Sequence, residues 1–364
     1  VEPWNANSIA KVFDKSGLTY PVTEKTEAPS FTKQFLAAHE HPIAKQIVRL
    51  RELNKANTTF IENILKFSHK GRIHAEFHAL RSDDGGTVTG RFSSSNPNLQ
   101  QIPARDPEIK SLIRGLFVPE EGEKWGSFDY ASQEPRWLAH YCASITGVHR
   151  HPSIDEVVDR YKADDADFHQ MVADMADISR KDAKTVNLGI MYGMGVNKMA
   201  GVLDVTVQEA KDLLAEYHSR VPFVKGLASM TQAHAESAGV IRTVLGRKCR
   251  FDMWEPKTFG VHKPLPLEQA QKEYGGRNGI KRAFTYKALN RLIQGTSADQ
   301  TKKAMLDCYK AGHTPMLQVH DELCFSISND KQIKEITQLM EEAVPAKVPF
   351  KVDCAIADNW GQVD

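Results

Sequence analysis

The chain has 364 residues, a formal net charge of +1 and 26% charged residues, so it is not a uniformly basic or uniformly acidic protein. Its length exceeds what one small core needs, and two or three lobes are expected. The five cysteines are widely spaced and form no Cys-x-x-Cys pair, which argues against a disulfide framework or a cysteine zinc site. No apolar run reaches the length of a membrane span and no signal-peptide pattern begins the chain, so we expect a cytoplasmic protein without a membrane partner.

The charges are distributed unevenly along the chain. From Arg242 to Lys310 there are 15 basic and 6 acidic residues, whereas Pro119 to Ser179 holds 5 basic and 13 acidic residues. A basic segment suits a polyanion, and an acidic segment suits cations. The small net charge therefore conceals two regions with opposite preferences.

The first hundred residues change character near residue 73. Residues 1–73 read as helices joined by polar loops, the longest from about His41 to Phe67. Residues 73–80 alternate like a strand, and residues 87–103 form a loop-rich stretch of amide and hydroxyl side chains with one arginine, Arg91. Such side chains suit contacts with sugars and base edges, although a surface loop uses the same residues for its turns.

The next stretch places two acids at one backbone corner. A strand ending near Asp129 turns directly into a helix, for which Ser132 is the expected N-cap and Pro135 lies in the first turn. Glu134 lies in that same turn. Taken alone, these acids are explained by a strand end and by complementarity to the helix dipole.

The rest of the chain alternates helices with two hairpins. Residues 151–234 read as mainly helical and residues 237–251 as a hairpin, while the Pro- and Gly-rich residues 252–279 read as a long loop or insertion. A helix is expected from about Lys281 to Ala311. Two apolar strands then flank the polar tip His320-Asp321-Glu322, which predicts a second hairpin, followed by a helix over 331–344 and a strand over 349–355.

Acids at the ends of two separate strands suit a two-metal site. Divalent ions about 4 Å apart need carboxylates from rigid elements, and Asp129 and Asp321 meet that need. Mg²⁺ takes few protein ligands and completes its shell with water and phosphate oxygens, so two aspartates and a main-chain carbonyl would suffice. A solvated acidic turn is the alternative interpretation of the hairpin tip.

A third group of residues lies at helical spacing. Arg180, Lys184, Leu188 and Tyr192 are four apart and form one slowly drifting stripe. A triphosphate could lie on the two cations and a base against the apolar end, with His169 as a further phosphate donor. An amphipathic helix with a basic first turn is the alternative, which the helix dipole slightly disfavours.

Together these stretches resemble the polymerase portion of the family A DNA polymerases, the bacterial DNA polymerase I and phage replicative group. The resemblance covers nearly the whole chain and rests on five stretches in the family's order: Thr89–Ser94 with Pro97–Gln100 in the palm, Asp129–Arg136 as motif A, Arg180–Gly193 as motif B, Asn290 with Gln294–Thr296, and Gln318–Glu322 as motif C.

The resemblance implies an α+β right-hand fold. A helical thumb would take residues 1–73, an antiparallel-sheet palm residues 74–150 and 285–364, and helical fingers residues 151–284. The implied reaction is template-directed attack of a primer 3′-hydroxyl on a dNTP with release of pyrophosphate, in DNA replication or repair. Two Mg²⁺ ions would serve as cofactors, with Mn²⁺ as a substitute.

The resemblance also implies individual roles. Asp129, Asp321 and the carbonyl of Tyr130 would hold the metals, and Glu322 would be an accessory acid. The residues that would contact the incoming nucleotide are Arg180, Lys184, Leu188, Tyr192, His169, Glu134 and Gln133, with Glu134 and Tyr192 excluding a ribose 2′-hydroxyl. Those that would contact the primer–template are Arg91, Asn98, Gln100, Asn290, Gln294 and His320.

Several positions depart from the family's pattern. Gln133 is displaced by one position, Leu188 replaces the usual aromatic residue, and Tyr286 stands where bacterial members tend to carry arginine. In this sequence no proofreading or 5′-nuclease segment precedes the expected thumb, so either such a domain was removed or it lies on another chain. Proofreading by these 364 residues is not expected, and a separate exonuclease or processivity factor could be a partner. A single-subunit RNA polymerase and a catalytically silent DNA-binding replication protein are the alternative functions. The acidic Glu134 argues against the first, and the intact acids and cations argue against the second.

Overall fold

The computed structural model describes residues 2–80, 86–104, 106–147, 150–163, 167–176, 178–258 and 260–363. Its helices and sheets confirm the predicted α+β class. The chain divides into two compact units. The smaller unit is Val1–Glu76 with Ser94–Val118 and Asn359–Gln362, and the larger unit is Phe77–Ser93 with Pro119–Asp358 and Val363–Asp364. The finer division into thumb, palm and fingers stays a prediction.

The smaller unit is mainly helical. The long helix predicted from about His41 to Phe67 is present as α3, a π-helical segment over Ala56–Ile61, and α4. Its core packs Phe13 against Phe31, with ring centroids 4.9 Å apart, beside the fully buried Leu36. The elements up to residue 118 are α1 (Ala6–Lys15), α2 (Lys33–Ala38), α3 (Pro42–Lys55), α4 (Glu62–Lys66), the hairpin β1 (Ser68–His69) and β2 (Arg72–Ile73), the short strands β3 (Glu76–His78) and β4 (Ser93–Ser95), and α5 (Pro107–Arg114).

The larger unit holds the remaining elements. Its helices are α6 (Gln133–Ser144), α7 (Ile154–Lys162), α8 (Phe168–Ala176), α9 (Arg180–Met191), α10 (Val196–Leu203), α11 (Val207–Arg220), α12 (Pro222–Ala238), α13 (Leu267–Glu273), α14 (Ala288–Lys310) and α15 (Asp330–Glu341). Its strands are β5 (Lys124–Tyr130), β6 (Val240–Arg242), β7 (Lys248–Arg250), β8 (Met253–Pro256), β9 (Leu265–Pro266), β10 (Ile280–Arg282), β11 (Leu317–Val319), β12 (Glu322–Ile327) and β13 (Val352–Ala357). None of the described helices is both long and apolar enough to cross a membrane.

A four-stranded antiparallel sheet lies at the centre of the larger unit. The strand order is β11-β12-β5-β13. The strand that carries motif A, β5, therefore lies between β12 of the second hairpin and β13, the last strand of the chain. Gly126 allows this packing, because a Cβ there would lie 2.5 Å from a side-chain carbon of Ile327. Phe128 and Phe325 bury their rings edge to face, 5.5 Å apart, between neighbouring strands. The sheet therefore holds the strand ends that carry the acids in fixed register.

The structure corrects three local predictions. Residues 252–279 are not a long loop: β8, β9 and β10 form a three-stranded sheet beside α13, with prolines at the strand ends. Ser132 does not cap α6 with its side chain, because its backbone takes the left-handed conformation with φ of 55°. The helix expected from Lys281 begins only at Ala288, since residues 280–282 are paired with β8.

Candidate active site

Three acids meet at one end of the central sheet. Glu322, the first residue of β12, is the direct cross-strand partner of Asp129 near the end of β5, and Asp321 immediately precedes it. The tight turn before Asp321 depends on His320, which has a left-handed φ of 57° and whose carbonyl accepts a bond of 2.6 Å from the Gln318 amide. The hairpin tip and the β5 end, almost 200 residues apart in sequence, are thus neighbours.

The surroundings of these acids disfavour their ionised forms. Desolvation by the neighbouring protein, followed by repulsion from Asp321, Glu322 and Asp353, raises the pKa of Asp129 to about 8, although the side chain keeps access to solvent. Burial also raises the pKa of Asp321, against the opposing effects of its own main-chain N–H, of Arg91 and of His320. Crowded carboxylates of this kind ionise together only when a cation compensates them.

The donor set fits hard divalent ions. The acids around Asp129 offer only carboxylate oxygens, which Mg²⁺ and Mn²⁺ prefer. The phenol of Tyr130 is buried and donates to the Met340 carbonyl at 2.6 Å, so the side chain of Tyr130 is not available as a metal ligand. No group of three or more His, Cys, Asp or Glu side chains in the described residues is arranged to hold a metal. Mg²⁺ takes few protein ligands, so water and phosphate oxygens would complete its shell.

Glu322 differs from the other two acids because it is held by its neighbours. It accepts hydrogen bonds from the Ser127 hydroxyl and from the Cys324 thiol, the latter at 3.4 Å. Ser127 and Cys324 are cross-strand partners in β5 and β12, so these contacts fix the carboxylate against the sheet. This placement suits an accessory acid better than a principal metal ligand.

Glu134 is restrained at both of its carboxylate oxygens. Arg91 forms an ion pair with one oxygen, and the Tyr192 hydroxyl donates to the other at 2.9 Å. Gln294 also hydrogen-bonds Tyr192, and burial together with the Glu134 charge raises the pKa of that phenol to about 12. Because Arg91 also acts on Asp321, this network lies next to the acid pair. The structure therefore brings the expected gate pair together with two of the expected DNA-contacting residues.

The predicted stripe lies on α9. Arg180 and Lys184 are exposed on one side of the helix, Leu188 is half-buried against the core, and Tyr192 follows the last helical residue. Arg180 is already engaged, because its Nε donates to Asp167 at 2.6 Å. Burial would raise the pKa of Asp167, but Arg180 and the main-chain N–H groups at the start of α8 outweigh it and lower that pKa. A phosphate would have to compete with this carboxylate for Arg180.

This competition can be tested with Asp167→Asn. Asparagine caps a helix as well as aspartate does, so α8 should be preserved while the ion pair is lost. Both partners are about half exposed, with 52% and 41% of their side-chain surfaces accessible, so the pair is weak. We expect the KM for dNTP to fall about two- to fivefold in steady-state primer extension. Asp174→Asn on the same helix is the matched control, and an increased KM in Asp167→Asn would contradict the competition.

Three predicted residues make other contacts in the structure. Gln133 is only 3% exposed, and its amide donates to Gln300 and Thr301 of α14, so the geometry gives no support to its expected nucleotide contact. Asn98 and Gln100 belong to the smaller unit, where the Asn98 side chain accepts from the Gln100 main chain at 3.1 Å.

Other predicted residues lie on elements already described. Asn290 is half-buried on α14, one turn before Gln294. His169 is buried on α8, where its ring contacts Asn187. No motif in the sequence indicated a role for Asp167, Asn187 or Tyr217. One feature of the sequence could have indicated the contact between these helices. Asn187 stands among the apolar residues of α9, and a buried amide needs polar partners.

A basic cleft of about 770 Å³ lies within the larger unit. Among the described residues, the charged side chains that line it are five cations and one acid: Arg247, Lys248, Arg250, Lys287, Arg291 and Asp252. Aromatic rings alternate with these charges, since the Arg291 guanidinium lies 4.4 Å from the Phe251 ring centroid and the Lys287 ammonium 5.4 Å from that of Phe284. Cations interleaved with aromatic rings are typical of surfaces that bind nucleic-acid strands.

Comparison with known proteins gives consistent results. A protein-family model described as DNA polymerase family A matches residues 6–362. A protein of Pseudomonas phage M6 named DNA-directed DNA polymerase is 36% identical, with 98% of this chain and 57% of that protein covered. The thermostable DNA polymerase I of Thermus filiformis is 32% identical, with 98% and 42% covered.

A solved structure, the POL domain of Pol1 from M. smegmatis in complex with DNA primer-template and dNTP, matches with a TM-score of 0.76 and 26% identity. The match covers 100% of this chain and 62% of that chain. The chain thus spans about 42–57% of the length of the two relatives. The strand-end acids, the Glu134–Tyr192 pair and the cationic helix stripe lie within the segment that the family model covers. This chain therefore belongs to DNA polymerase family A.

Proposed function

We propose that this chain catalyses template-directed extension of a primer 3′-hydroxyl by dNTPs with release of pyrophosphate. The observation that carries the proposal is the placement of Asp129 and Asp321 at adjoining strand ends beside the Glu134–Tyr192 pair. An acid pair alone would fit many metal-dependent enzymes. Its combination with a restrained acidic gate and a cationic helix favours a nucleotide polymerase.

Two divalent ions, Mg²⁺ with Mn²⁺ as a substitute, would be held by Asp129, Asp321 and the Tyr130 carbonyl. When bound, they would favour ionisation of the primer hydroxyl and stabilise the negative charge on the phosphate oxygens. The protein's own contribution is to place the reacting groups. Asp129 lies in β5 and Asp321 directly precedes β12, so the paired strands restrict the positions of both acids.

The helix α9 is proposed to orient the triphosphate. Arg180 and Lys184 face solvent one turn apart and can contact phosphate oxygens as charged donors. Leu188 follows one turn later, where the base and sugar would pack. Because Leu188 is smaller than an aromatic ring, we expect weaker stacking on the incoming base than an aromatic residue would give.

The restrained carboxylate of Glu134 is proposed to exclude ribonucleotides. Arg91 and Tyr192 hold both of its oxygens, so the side chain cannot easily move away from an added 2′-hydroxyl. A fixed, charged group close to the sugar rejects a ribonucleotide by steric contact and by leaving polar groups poorly paired. This role distinguishes the chain from an RNA polymerase with a similar palm.

The primer–template is the proposed macromolecular partner. Arg91, Gln294 and His320 lie near the acid pair, and Asn290 precedes Gln294 on α14, while the contacts of Asn98 and Gln100 rest on the family resemblance. The basic cleft would carry a strand through its phosphates. A separate exonuclease or processivity factor, and a location in the cytoplasm of a bacterial or infected cell, remain part of this proposal.

Primer extension with separate pools of dNTPs and rNTPs tests this function. With Mg²⁺ and a primed template, we expect extension by dNTPs and little extension by rNTPs. Equal use of rNTPs would indicate an RNA polymerase, and DNA binding without any extension would indicate a silent binding protein. Either of those results would overturn the proposal.

The basic cleft makes a separate prediction about DNA affinity. Removing a cation that contacts a phosphate lowers the slope of log K against log salt by about 1. We expect Lys248→Ala and Arg250→Ala each to weaken primer–template binding and to reduce this slope, measured by fluorescence anisotropy at several salt concentrations. Lys331→Ala is the control, because that side chain is 84% exposed and lies on α15 outside the cleft. If all variants and the wild-type protein have the same slope of log K against log salt, the cleft does not contact the DNA.

A further inference from the structure

Three buried polar side chains form a chain of hydrogen bonds inside the larger unit, and one of them lies on α9, the helix that carries Arg180 and Lys184. The Tyr217 hydroxyl on α11 lies 2.6 Å from the Asn187 carbonyl oxygen on α9. The Asn187 amide nitrogen lies 3.1 Å from Nδ1 of His169 on α8. Asn187 and Tyr217 are both 0% exposed and His169 is 8% exposed. The triad therefore joins three helices through an interior that is otherwise largely apolar.

The direction of these hydrogen bonds follows from the tyrosine. Burial keeps the pKa of Tyr217 well above its usual value, so its hydroxyl retains a proton that must be donated. The Asn187 oxygen is the acceptor within reach, and the amide nitrogen is consequently turned toward the imidazole. Nδ1 then accepts, which leaves the proton of a neutral ring on Nε2.

The ring is expected to be neutral at physiological pH. Burial lowers the pKa of His169, and the charges of Lys184 and Arg180 lower it further, while Asp167 acts in the opposite direction. A neutral imidazole can donate to a phosphate only from the nitrogen that carries the proton. The opposite tautomer would present a lone pair to the phosphate oxygens.

We infer that Asn187 and Tyr217 are positioning residues, which hold His169 in the Nε2–H tautomer so that it donates to the triphosphate of the incoming nucleotide. This inference rests on the proposed function, in which His169 contacts the triphosphate. Asn187 lies on the same helix as Arg180 and Lys184. The hydrogen bond from Asn187 therefore also connects His169 on α8 to the helix that carries the two cations, and it should keep the three phosphate donors in a fixed arrangement.

The kinetic test uses the conservative variant Tyr217→Phe, which keeps the ring and removes the donor. Tyr161→Phe is the matched control, because Tyr161 is also fully buried in the larger unit and its hydroxyl has no hydrogen-bond partner in the described structure. We expect Tyr217→Phe to raise the KM for dNTP about 3- to 10-fold with a smaller change in kcat. Tyr161→Phe should leave the KM unchanged. Equal increases in both variants would overturn the inference.

A double-mutant cycle separates this role from simple packing. If Tyr217 acts through His169, Tyr217→Phe should add no further increase in KM to the variant His169→Ala. Additive effects would contradict the inference while leaving the triphosphate role of His169 intact. A KM unchanged in His169→Ala would instead remove that role, and with it both the assignment and the inference.

The tautomer can also be observed without activity. In protein labelled with ¹⁵N-histidine, the His169 signals can be assigned by their loss in His169→Ala. We expect the Nε2–H tautomer in the wild-type protein and a mixture of tautomers in Tyr217→Phe. An Nδ1–H tautomer in the wild-type protein would overturn the inference whatever the kinetics show.

Discussion

Replacing Asp129 with asparagine is expected to lower the rate of nucleotide addition about 1,000-fold or more while leaving primer–template binding nearly unchanged. Asparagine has the same shape but carries no charge, so the variant keeps the sheet and loses one of two principal metal ligands. Metal stabilisation of phosphoryl transfer contributes several kcal/mol, and each 1.36 kcal/mol corresponds to a factor of ten in rate. Single-turnover primer extension, with DNA affinity measured in parallel, checks both parts of this prediction.

The sheet supplies a matched control for this variant. Asp353 in β13 is the direct cross-strand partner of Asp129 on the side opposite Glu322 and adds to the repulsion at the site. It lies outside the proposed metal ligands, so Asp353→Asn should retain most of the activity. An Asp129→Asn variant as active as Asp353→Asn would contradict the proposed division of roles.

The same substitution is expected to stabilise the metal-free protein at high pH. The pKa of Asp129 is raised from its ordinary 3.8 to about 8 in the folded state. Between these values the folded protein binds a proton that the unfolded chain does not, so stability falls as pH rises through this window. Asp129→Asn removes this loss. Because the side chain keeps solvent contact, we expect a gain of only about 1–2 kcal/mol at pH 9 and little at pH 4.

Thermal unfolding in the presence of a chelator, at pH 5 and at pH 9, measures this effect. The Tm of the wild-type protein should fall more between these two pH values than the Tm of Asp129→Asn. Adding Mg²⁺ should reduce the difference, because bound cations compensate the ionised acids. A pH dependence identical in both proteins would show that the acid pair is not repulsive.

Replacing Glu134 with alanine is expected to reduce discrimination against ribonucleotides about 100-fold or more. The side chain is only 11% exposed and is held at both oxygens, so its removal opens space beside the sugar. A ribose 2′-hydroxyl could then be accommodated without displacing Arg91 or Tyr192. The measurement is the ratio of kcat/KM for a dNTP to that for the matching rNTP.

A milder variant tests whether the restraint of the Glu134 carboxylate contributes to the exclusion of ribonucleotides. Tyr192→Phe keeps the aromatic ring and removes the hydroxyl that donates to Glu134. It should lower the dNTP/rNTP ratio less than Glu134→Ala does, because Arg91 still holds the carboxylate. If Glu134→Ala leaves the ratio unchanged, the gate lies elsewhere in the site.

The sequence predicted the parts of the site that depend on local patterns. The strand character of the run that ends near Asp129 identified β5, and two apolar runs around His320-Asp321-Glu322 identified the second hairpin. Helical spacing identified the exposed Arg180 and Lys184 on α9. The acids meet because Asp129 lies near the end of β5, Asp321 directly precedes β12, and these two strands pair in one sheet.

Features set by tertiary packing escaped prediction. The small sheet of β8, β9 and β10 lies in a segment whose prolines and glycines resemble loop chemistry. Gln133 was expected to contact the nucleotide, but it is buried and its amide donates to Gln300 of α14, a partner distant in the sequence. The bond between Asn187 and Tyr217 joins two helices, and no spacing within either helix reveals it.

The most direct test of the central claim is single-nucleotide addition on four templates that differ only in the templating base. With Mg²⁺ present and each dNTP supplied separately, the wild-type protein should add only the complementary nucleotide to the primer. Asp129→Asn should bind the same primer–template without adding any nucleotide at a comparable rate. Addition that ignores the template, or the absence of any addition by a protein that binds the DNA, would contradict the assignment of this chain as a template-directed polymerase.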